Sequence, residues 1–130
     1  MKPRTPILAL KHVNAVYCAQ FSAGGKRIAT GSLDHRVKIW TLAEGKLVQE
    51  LPGHGDGVVG VAFLSEGKQV ASLSLDRSVR IWNIETAKQE AQLSGHQNYP
   101  TCMQASHDGT ILATGSMDKD VRLWTTSPAA

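Results

Sequence analysis

Short stretches in which apolar and polar residues alternate follow one another along the chain, with turn residues between them. Residues 16–21 alternate in this way, and the glycine-containing segment 22–26 that follows them is typical of a hairpin turn. The same pattern predicts further strands at residues 27–32, 36–40, 46–51, 58–63, 69–74, 79–82, 88–93, 101–105, 111–116 and 121–124. Since no stretch has the apolar period of an amphipathic helix, the chain is predicted to be all-β.

A step of 42 residues relates three parts of the chain. It separates Trp40, Trp82 and Trp124, and four other residue types follow it. These are His12, His54 and His96, Ser32, Ser74 and Ser116, Asp34, Asp76 and Asp118, and Gly25, Gly67 and Gly109. An ungapped internal repeat makes one structural unit of each copy. We therefore divide residues 1–130, taken as a single segment, into the repeats 5–42, 43–84 and 85–126.

Three motifs of the repeat resemble those of the WD-repeat family. They are a Gly-His pair at Gly53-His54 and Gly95-His96, a Ser-x-Asp motif at residues 32–34, 74–76 and 116–118, and a closing Ile-Trp or Leu-Trp. The resemblance covers about residues 7–126, although Lys11 takes the place of the first glycine and no aspartate follows a tryptophan. It implies that each repeat is one four-stranded antiparallel blade of a β-propeller, and that the chain supplies half of a six-bladed ring.

Histidine, serine, aspartate and tryptophan recur together in every repeat. The resemblance implies that the His of the loop entering a blade bonds the Asp of the turn between the second and third strands, and that Ser and the Trp indole complete this chain. The residues of this structural network are His12, Ser32, Asp34, Trp40, His54, Ser74, Asp76, Trp82, His96, Ser116, Asp118 and Trp124. An active site needs one copy instead of three, no Gly-x-Ser-x-Gly motif is present, and the histidines lack the close ligand pairs of zinc sites. We therefore expect no catalysis, no cofactor and no metal.

Apolar loop residues indicate where a partner binds. In the family that the chain resembles, the propeller end carrying the His loops and the Asp turns usually binds peptides. The residues expected there are Ala15, Tyr17, Leu33, Gly57, Val59, Leu75, Tyr99, Thr101 and Met117. Because aromatic residues and methionine are enriched at interfaces, we expect other proteins or peptides as partners. The alternative is that the Leu and Met side chains only cap the blade tips.

The positive charge of the chain is small and dispersed. Its net charge is +3, and its 42% hydrophobic and 19% charged residues are typical of a folded protein. Lys38, Arg80 and Arg122 occupy equivalent positions, where they could face an acidic partner or RNA, or pack along the blade. Because binding to phosphates needs a concentrated basic patch, we do not expect nucleic acid as a partner.

The two cysteines, Cys18 and Cys102, lie in predicted strands and do not make a disulfide framework. Free thiols behave there as small buried hydrophobic groups and fit a reducing compartment. No apolar stretch has the length of a secretory signal or a bilayer span. The sequence therefore predicts a cytoplasmic or nuclear protein without membrane contact.

Three blades are fewer than the four to eight of a closed propeller. Residues 5–10 align with the outer strands 47–51 and 89–93, whereas the last blade ends after its third strand. We therefore expect residues 7–10 of one chain to be the outer clasp strand of the blade that holds Trp124 in a second chain, so that a homodimer closes the ring. The alternatives are a fragment of a longer propeller and a complex whose partner supplies the remaining blades.

Together these expectations favour a protein-protein interaction scaffold. One alternative function is a subunit of an RNA- or ribosome-associated assembly, with phosphate contacts through Lys26, Lys38, Arg80 and Arg122. A steep loss of binding with salt would favour that alternative. Another is an evolutionary intermediate or fragment of a longer propeller that has no separate function.

Overall fold

The computed structural model describes residues 9–64 and 67–126, and these contain eleven β-strands and no α-helix. The strands are β1 Val16–Phe21, β2 Arg27–Ser32, β3 Arg36–Thr41, β4 Leu47–Pro52, β5 Val58–Leu64, β6 Gln69–Ser74, β7 Ser78–Asn83, β8 Gln89–Ser94, β9 Pro100–Ala105, β10 Ile111–Ser116 and β11 Val121–Thr125. Every strand end lies within one residue of the position that the alternating pattern predicts. The all-β prediction is confirmed. Within this described part, no helix has the length and apolar character needed to cross a membrane.

The strands form three antiparallel sheets in chain order, as the WD-type resemblance predicts. Sheet 1 has the order β1-β2-β3-β4 and sheet 2 the order β5-β6-β7-β8. Sheet 3 consists of β9, β10 and β11 among the described residues, so that β11 is an edge strand. The predicted clasp segment, residues 5–10, lies mostly outside the described residues, and its described members Ala9 and Leu10 are not part of a strand.

The pairing of the second and third strands repeats with the step of the sequence. The opposed residues are Ala29 and Ile39 in sheet 1, Ala71 and Ile81 in sheet 2, and Ala113 and Leu123 in sheet 3. Since side chains alternate between the two faces of a strand, this common register puts equivalent residues on equivalent faces of the three sheets.

Each sheet packs on the next through one apolar face. We call the face turned toward the next sheet in the chain the forward face, and the opposite one the rear face. At the first junction, Ala29, Val37 and Ile39 on the forward face of sheet 1 pack with Val58, Val61 and Val70 on the rear face of sheet 2. At the second, Ala71, Val79 and Ile81 on the forward face of sheet 2 pack with Met103 and Leu112 of sheet 3. All of these side chains are buried. Because burying one Val, Leu or Ile contributes about 1.5–3 kcal/mol, the two junctions hold the sheets in order.

Candidate functional site

One end of the three sheets gathers the loops that enter them and the turns between their second and third strands. Neighbouring strands are antiparallel, which puts the loops 11–15, 53–57 and 95–99 at the same end as the turns 33–35, 75–77 and 117–119. We call this the histidine end. In every sheet a backbone amide of the turn donates a hydrogen bond to a carbonyl of the loop. The pairs are Leu33 with Ala15 at 2.8 Å, Leu75 with Gly57 at 2.9 Å, and Met117 with Tyr99 at 2.9 Å.

A loop histidine contacts a turn aspartate in each sheet, as the sequence predicts. The Nδ1 atoms of His12, His54 and His96 lie 2.9, 2.9 and 3.1 Å from the Oδ2 atoms of Asp34, Asp76 and Asp118. The three imidazole side chains are at most 1% exposed. Since water cannot compete for them, these hydrogen bonds fix the loop to the turn.

The hydroxyl group between imidazole and indole is not the predicted one. The side chains that occupy this place are Thr30, Ser72 and Thr114, two residues before the predicted serines. Their Oγ atoms lie 2.5, 2.5 and 2.6 Å from the histidine Nε2 atoms. Each also accepts a hydrogen bond from the tryptophan Nε1–H, at 3.0, 2.8 and 2.9 Å for Trp40, Trp82 and Trp124. The three hydroxyl residues are separated by the 42-residue step. They were not predicted because they are not identical, with Thr, Ser and Thr at the three positions.

The predicted serines tie the loop to the turn by a separate route. Ser32 Oγ donates to the carbonyl of Ala15 at 2.8 Å and accepts from the amide of Asp34 at 3.1 Å. In sheet 3, Ser116 makes the equivalent bonds to the carbonyl of Tyr99 and the amide of Asp118. In sheet 2, Ser74 accepts from the amide of Asp76 and donates to the carbonyl of Asp56, one residue earlier in the loop than the equivalent of Ala15. The serines therefore support the aspartates without entering the chain that leads to the tryptophans.

The hydrogen bonds of sheet 2 run in one direction when the imidazole of His54 is neutral. Trp82 Nε1–H donates to Ser72 Oγ, the Ser72 hydroxyl donates to His54 Nε2, and His54 Nδ1–H donates to Asp76. Burial lowers the pKa of His54, although its hydrogen bond to Asp76 and the charge of that carboxylate oppose the shift. The imidazole is therefore uncharged at neutral pH.

Asp76 is held as a carboxylate. Burial alone would raise its pKa, but hydrogen bonds from Ser78, His54 and the backbone of Gly55 outweigh burial and lower the pKa to about 2. The Arg80 guanidinium adds an ion pair at 3.5 Å. An ionised Asp76 next to a neutral His54 keeps every polar atom of this chain paired.

The Asp-His-Ser order of this chain resembles that of a hydrolase triad, but the hydroxyl group is inaccessible. Ser72 and Thr114 have no exposed surface, and Thr30 has 6%. Each of these oxygens also accepts the indole hydrogen bond, so it has no face free for a substrate carbonyl. In residues 9–64 and 67–126, no three His, Cys, Asp or Glu side chains are close enough together to hold a metal.

The predicted partner-binding residues differ in how accessible they are. Tyr17, Tyr99 and Met117 are 53%, 47% and 62% exposed. Ala15 and Thr101 are also exposed, whereas Leu33, Val59 and Leu75 are half-buried and Gly57 is buried. The histidine end therefore offers a partner the exposed set Ala15, Tyr17, Tyr99, Thr101 and Met117, which we call the tyrosine rim.

Basic residues beside the tyrosine rim were not predicted. His35, Arg77 and Lys119 each follow a network aspartate, are exposed, and have φ angles of 72°, 71° and 74°. A left-handed backbone at a residue other than glycine costs about 1 kcal/mol, so the surrounding turn must impose it. Arg77 lies over the ring of Tyr99, 5.7 Å from its centroid. A basic residue after Asp in all three repeats was the available sequence signal.

The equivalent basic residues on the third strands do not form a free basic ring. Lys38 Nζ lies 3.4 Å from the carbonyl of Lys11 and 5.7 Å from the Trp40 ring. Arg80 donates to the carbonyl of Gly53 at 2.6 Å, and Arg122 pairs with an aspartate at 3.6 Å. Each of these three side chains therefore has a partner within its own repeat.

Comparisons with known proteins agree with this geometry. The family model described as "WD domain, G-beta repeat" matches residues 4–41, 45–83 and 87–125. The chain is 37% identical over 51 residues to a bromodomain and WD repeat-containing protein of Dictyostelium discoideum, which covers 39% of this chain and 2% of that protein. It is 41% identical over 46 residues to human pre-mRNA-processing factor 19, covering 35% of this chain and 9% of that protein. The chain therefore matches only a small part of the length of these curated relatives.

Proposed function

The chain belongs to the WD-repeat family, and on that premise we propose that it is a protein-interaction scaffold without catalytic chemistry of its own. WD repeats are generally found in non-catalytic proteins that bind other proteins. The observation that carries the proposal is the contrast in accessibility between two groups of residues at the histidine end. The polar groups that resemble a catalytic set are buried and paired, whereas the tyrosine rim is exposed.

The tyrosine rim is the proposed binding surface for a peptide segment of the partner. Tyrosine and methionine bury much apolar area with few rotatable bonds, and they are enriched where interfaces gain most of their affinity. The contact with Arg77 orders the Tyr99 ring before binding, which reduces the entropy lost on association.

A displayed library of random peptides tests this surface. Peptides selected on the wild-type chain are expected to bind the Tyr99→Ala/Met117→Ala variant at least about 10-fold more weakly, because about 1.4 kcal/mol of contact is removed. The Val48→Ala variant is the control, since Val48 is exposed on the outer strand of sheet 1. Selected peptides that bind the double variant as tightly as the wild type would place the binding surface elsewhere.

A second copy of the chain is the proposed partner for ring closure. In this arrangement the repeats are 5–42, 43–84 and 85–126, and residues 7–10 of one copy add a fourth strand beside β11 of the other. The edge position of β11 supports the proposal, because β4 and β8 cover the equivalent strands of sheets 1 and 2. Val37 lies opposite Leu51 in sheet 1, so the 42-residue step places Ala9 of the second copy opposite Val121.

Sedimentation equilibrium tests the clasp strand. The full chain is expected to have twice the 14.0 kDa mass of one copy. Removal of residues 2–8 is expected to raise the dissociation constant at least about 10-fold, since several backbone hydrogen bonds are lost. Removal of residues 127–130 is the control of similar kind. An unchanged dissociation constant after the first deletion would contradict the clasp.

Contact with RNA is the weaker alternative. The word "pre-mRNA-processing" describes a relative that this chain matches over 46 residues, and three of the four basic residues considered for phosphate contacts are engaged within the blades.

We further propose a cytoplasmic or nuclear location, which the free thiols Cys18 and Cys102 support. Fractionation of cells that express a tagged chain tests the location.

A further inference from the structure

The two junctions inside the chain show which surfaces the sheets use to pack. Each junction combines one forward face with one rear face, and most residues of both are Ala, Val, Leu or Ile. No junction among the described residues pairs two forward faces or two rear faces. The contact between neighbouring sheets is therefore directional, because it always joins a forward face to a rear face.

Among the described residues, one forward face and one rear face are not covered by another sheet. On the forward face of sheet 3, Val121 and Leu123 are 74% and 69% exposed. Their equivalents on the covered forward faces are at most 2% exposed, and these are Val37, Ile39, Val79 and Ile81.

The rear face of sheet 1 has the complementary exposure. Val16 is 47% exposed where its equivalent Val58 is fully buried, and Ala19 is exposed where Val61 is 1% exposed. Phe21 on the same face is 63% exposed. Exposed apolar side chains concentrated on one face of a sheet indicate an interaction surface.

We propose that these two faces are the halves of one junction, made between two copies of the chain, in which the forward face of sheet 3 packs on the rear face of sheet 1 of the second copy and the reciprocal pair does the same. The inference rests on the proposed scaffold and names the surface through which its second copy binds. It is a contact between sheet faces, separate from the clasp strand at the sheet edge.

The residues of the proposed junction resemble those of the first observed junction. Ala113, Val121 and Leu123 would take the places of Ala29, Val37 and Ile39, while Val16, Ala19 and Ile28 would take those of Val58, Val61 and Val70. These sets contain apolar residues of similar volume and no charge. The second copy can therefore pack there without burying an unpaired polar group.

A glycine supports this placement. At Gly31 on the forward face of sheet 1, an added Cβ would lie 2.6 Å from Cγ1 of Val58, so that only glycine fits the first junction. Gly115 is its equivalent in sheet 3, and Val16 of the second copy is the equivalent of Val58. The room that Val16 requires on the forward face of sheet 3 is thus present.

The proposed contact is reciprocal. A directional contact that closes on itself makes a ring instead of a filament. A junction that is made twice, with the two faces exchanged, therefore limits the assembly to two copies.

Two surface variants and their mixture test the directional junction. Leu123→Asp puts a charge on the forward face of sheet 3, and Ala19→Asp puts one on the rear face of sheet 1. Both positions are exposed in one copy, so each variant is expected to fold and to sediment at 14.0 kDa. An equimolar mixture is expected to associate into a species of twice that mass, because one junction in it has two intact faces. Leu47→Asp, on the outer strand of sheet 1, is the control and is expected to remain dimeric.

Each other result overturns the proposal. A wild-type chain that sediments as a monomer removes the second copy and leaves a further WD blade as the occupant of these faces. A single variant that stays dimeric shows that its face is not used. A mixture that fails to associate shows that the two faces are not partners. Peptide binding by the Leu123→Asp monomer tests the tyrosine rim independently, so that failure of the junction and failure of the scaffold function are distinguishable.

Cys102 reports on the junction directly. It is exposed on the forward face of sheet 3, whereas its equivalent Cys18 is half-buried at the first junction, where burial raises the pKa to about 11. Labelling of Cys102 by a disulfide reagent is expected to slow at least about 10-fold when the protein concentration is raised above the dissociation constant, since reactivity requires an accessible thiolate. The Cys102→Ser variant gives the contribution of Cys18. A labelling rate that is independent of concentration in a dimeric chain would leave the clasp standing and overturn the face junction.

Discussion

Replacement of His54 by alanine is expected to lower the free energy of unfolding by about 3 kcal/mol. The imidazole is completely buried and is hydrogen-bonded through both nitrogen atoms, to Asp76 and to Ser72. Its removal leaves a partly buried carboxylate and a buried hydroxyl with fewer partners, and it leaves a cavity beside Trp82. Each polar group stranded in this way costs about 1–3 kcal/mol. Domains of this size have a total stability of about 5–15 kcal/mol, so the loss is a large fraction.

Urea unfolding followed by tryptophan fluorescence measures this loss. The control is His35→Ala, because His35 is an exposed histidine in the turn of sheet 1. That change removes no buried hydrogen bond and is expected to alter stability by less than about 0.5 kcal/mol. Equal effects of the two substitutions would refute a stabilising role of the buried chain. Loss of a catalytic turnover in a fully stable His54→Ala variant would contradict the structural reading altogether.

The strands and their grouping could be predicted because their signals are local. Alternation within residues 16–21 and the turn that follows do not depend on distant parts of the chain, and the 42-residue step then assigns the same structure to each repeat. The His54–Asp76 contact came from the family resemblance together with the repeat. Both kinds of inference agree with the geometry of all three sheets.

The identity of the bridging hydroxyl could not be predicted in the same way. Ser72 and Ser74 are both hydroxyl residues on the same strand, two positions apart, and alternation puts them on the same side. Which of them contacts His54 depends on how far the loop reaches along β6. The structure puts the histidine beside Ser72 and leaves Ser74 to hold the loop backbone. The reach of the loop along β6 is set by the tertiary fold and cannot be read from the pattern of a single strand.

The burial of equivalent side chains was the other property that could not be predicted from the sequence. Val37 and Val121 are the same residue at equivalent positions, yet the first is fully buried and the second is 74% exposed. The difference arises because the sheet that covers Val37 follows it in the chain, while no described sheet covers Val121. Periodicity shows which residues share a face, and only the neighbouring sheet determines whether that face is buried.

Stability is expected to fall when the pH is lowered, in two separate ranges. Burial, Arg80 and His35 lower the pKa of His54 in the folded state, against the opposing effect of Asp76. The unfolded chain therefore binds more protons than the folded chain below the ordinary histidine pKa of about 6.5, and stability decreases as the pH falls through that value. The slope for one such group approaches about 1.4 kcal/mol per pH unit. The second range belongs to the aspartates.

Asp34, Asp76 and Asp118 have lowered pKa values in the folded state, because the hydrogen bonds that they accept outweigh burial. Their contribution is complete above the ordinary value of 3.8 and is lost as the pH falls toward about 2, the pKa of Asp76. Urea midpoints measured from pH 8 to pH 3 test both ranges. His54→Gln is expected to flatten the curve between pH 7 and pH 5 while leaving the decrease below pH 4, since the two ranges titrate different groups. A wild-type midpoint that stays constant or rises between pH 7 and pH 5 would mean that His54 is charged in the folded chain. The hydrogen bonds from Trp82 to Asp76 would then run in a different order, with Ser72 accepting from the imidazole instead of donating to it.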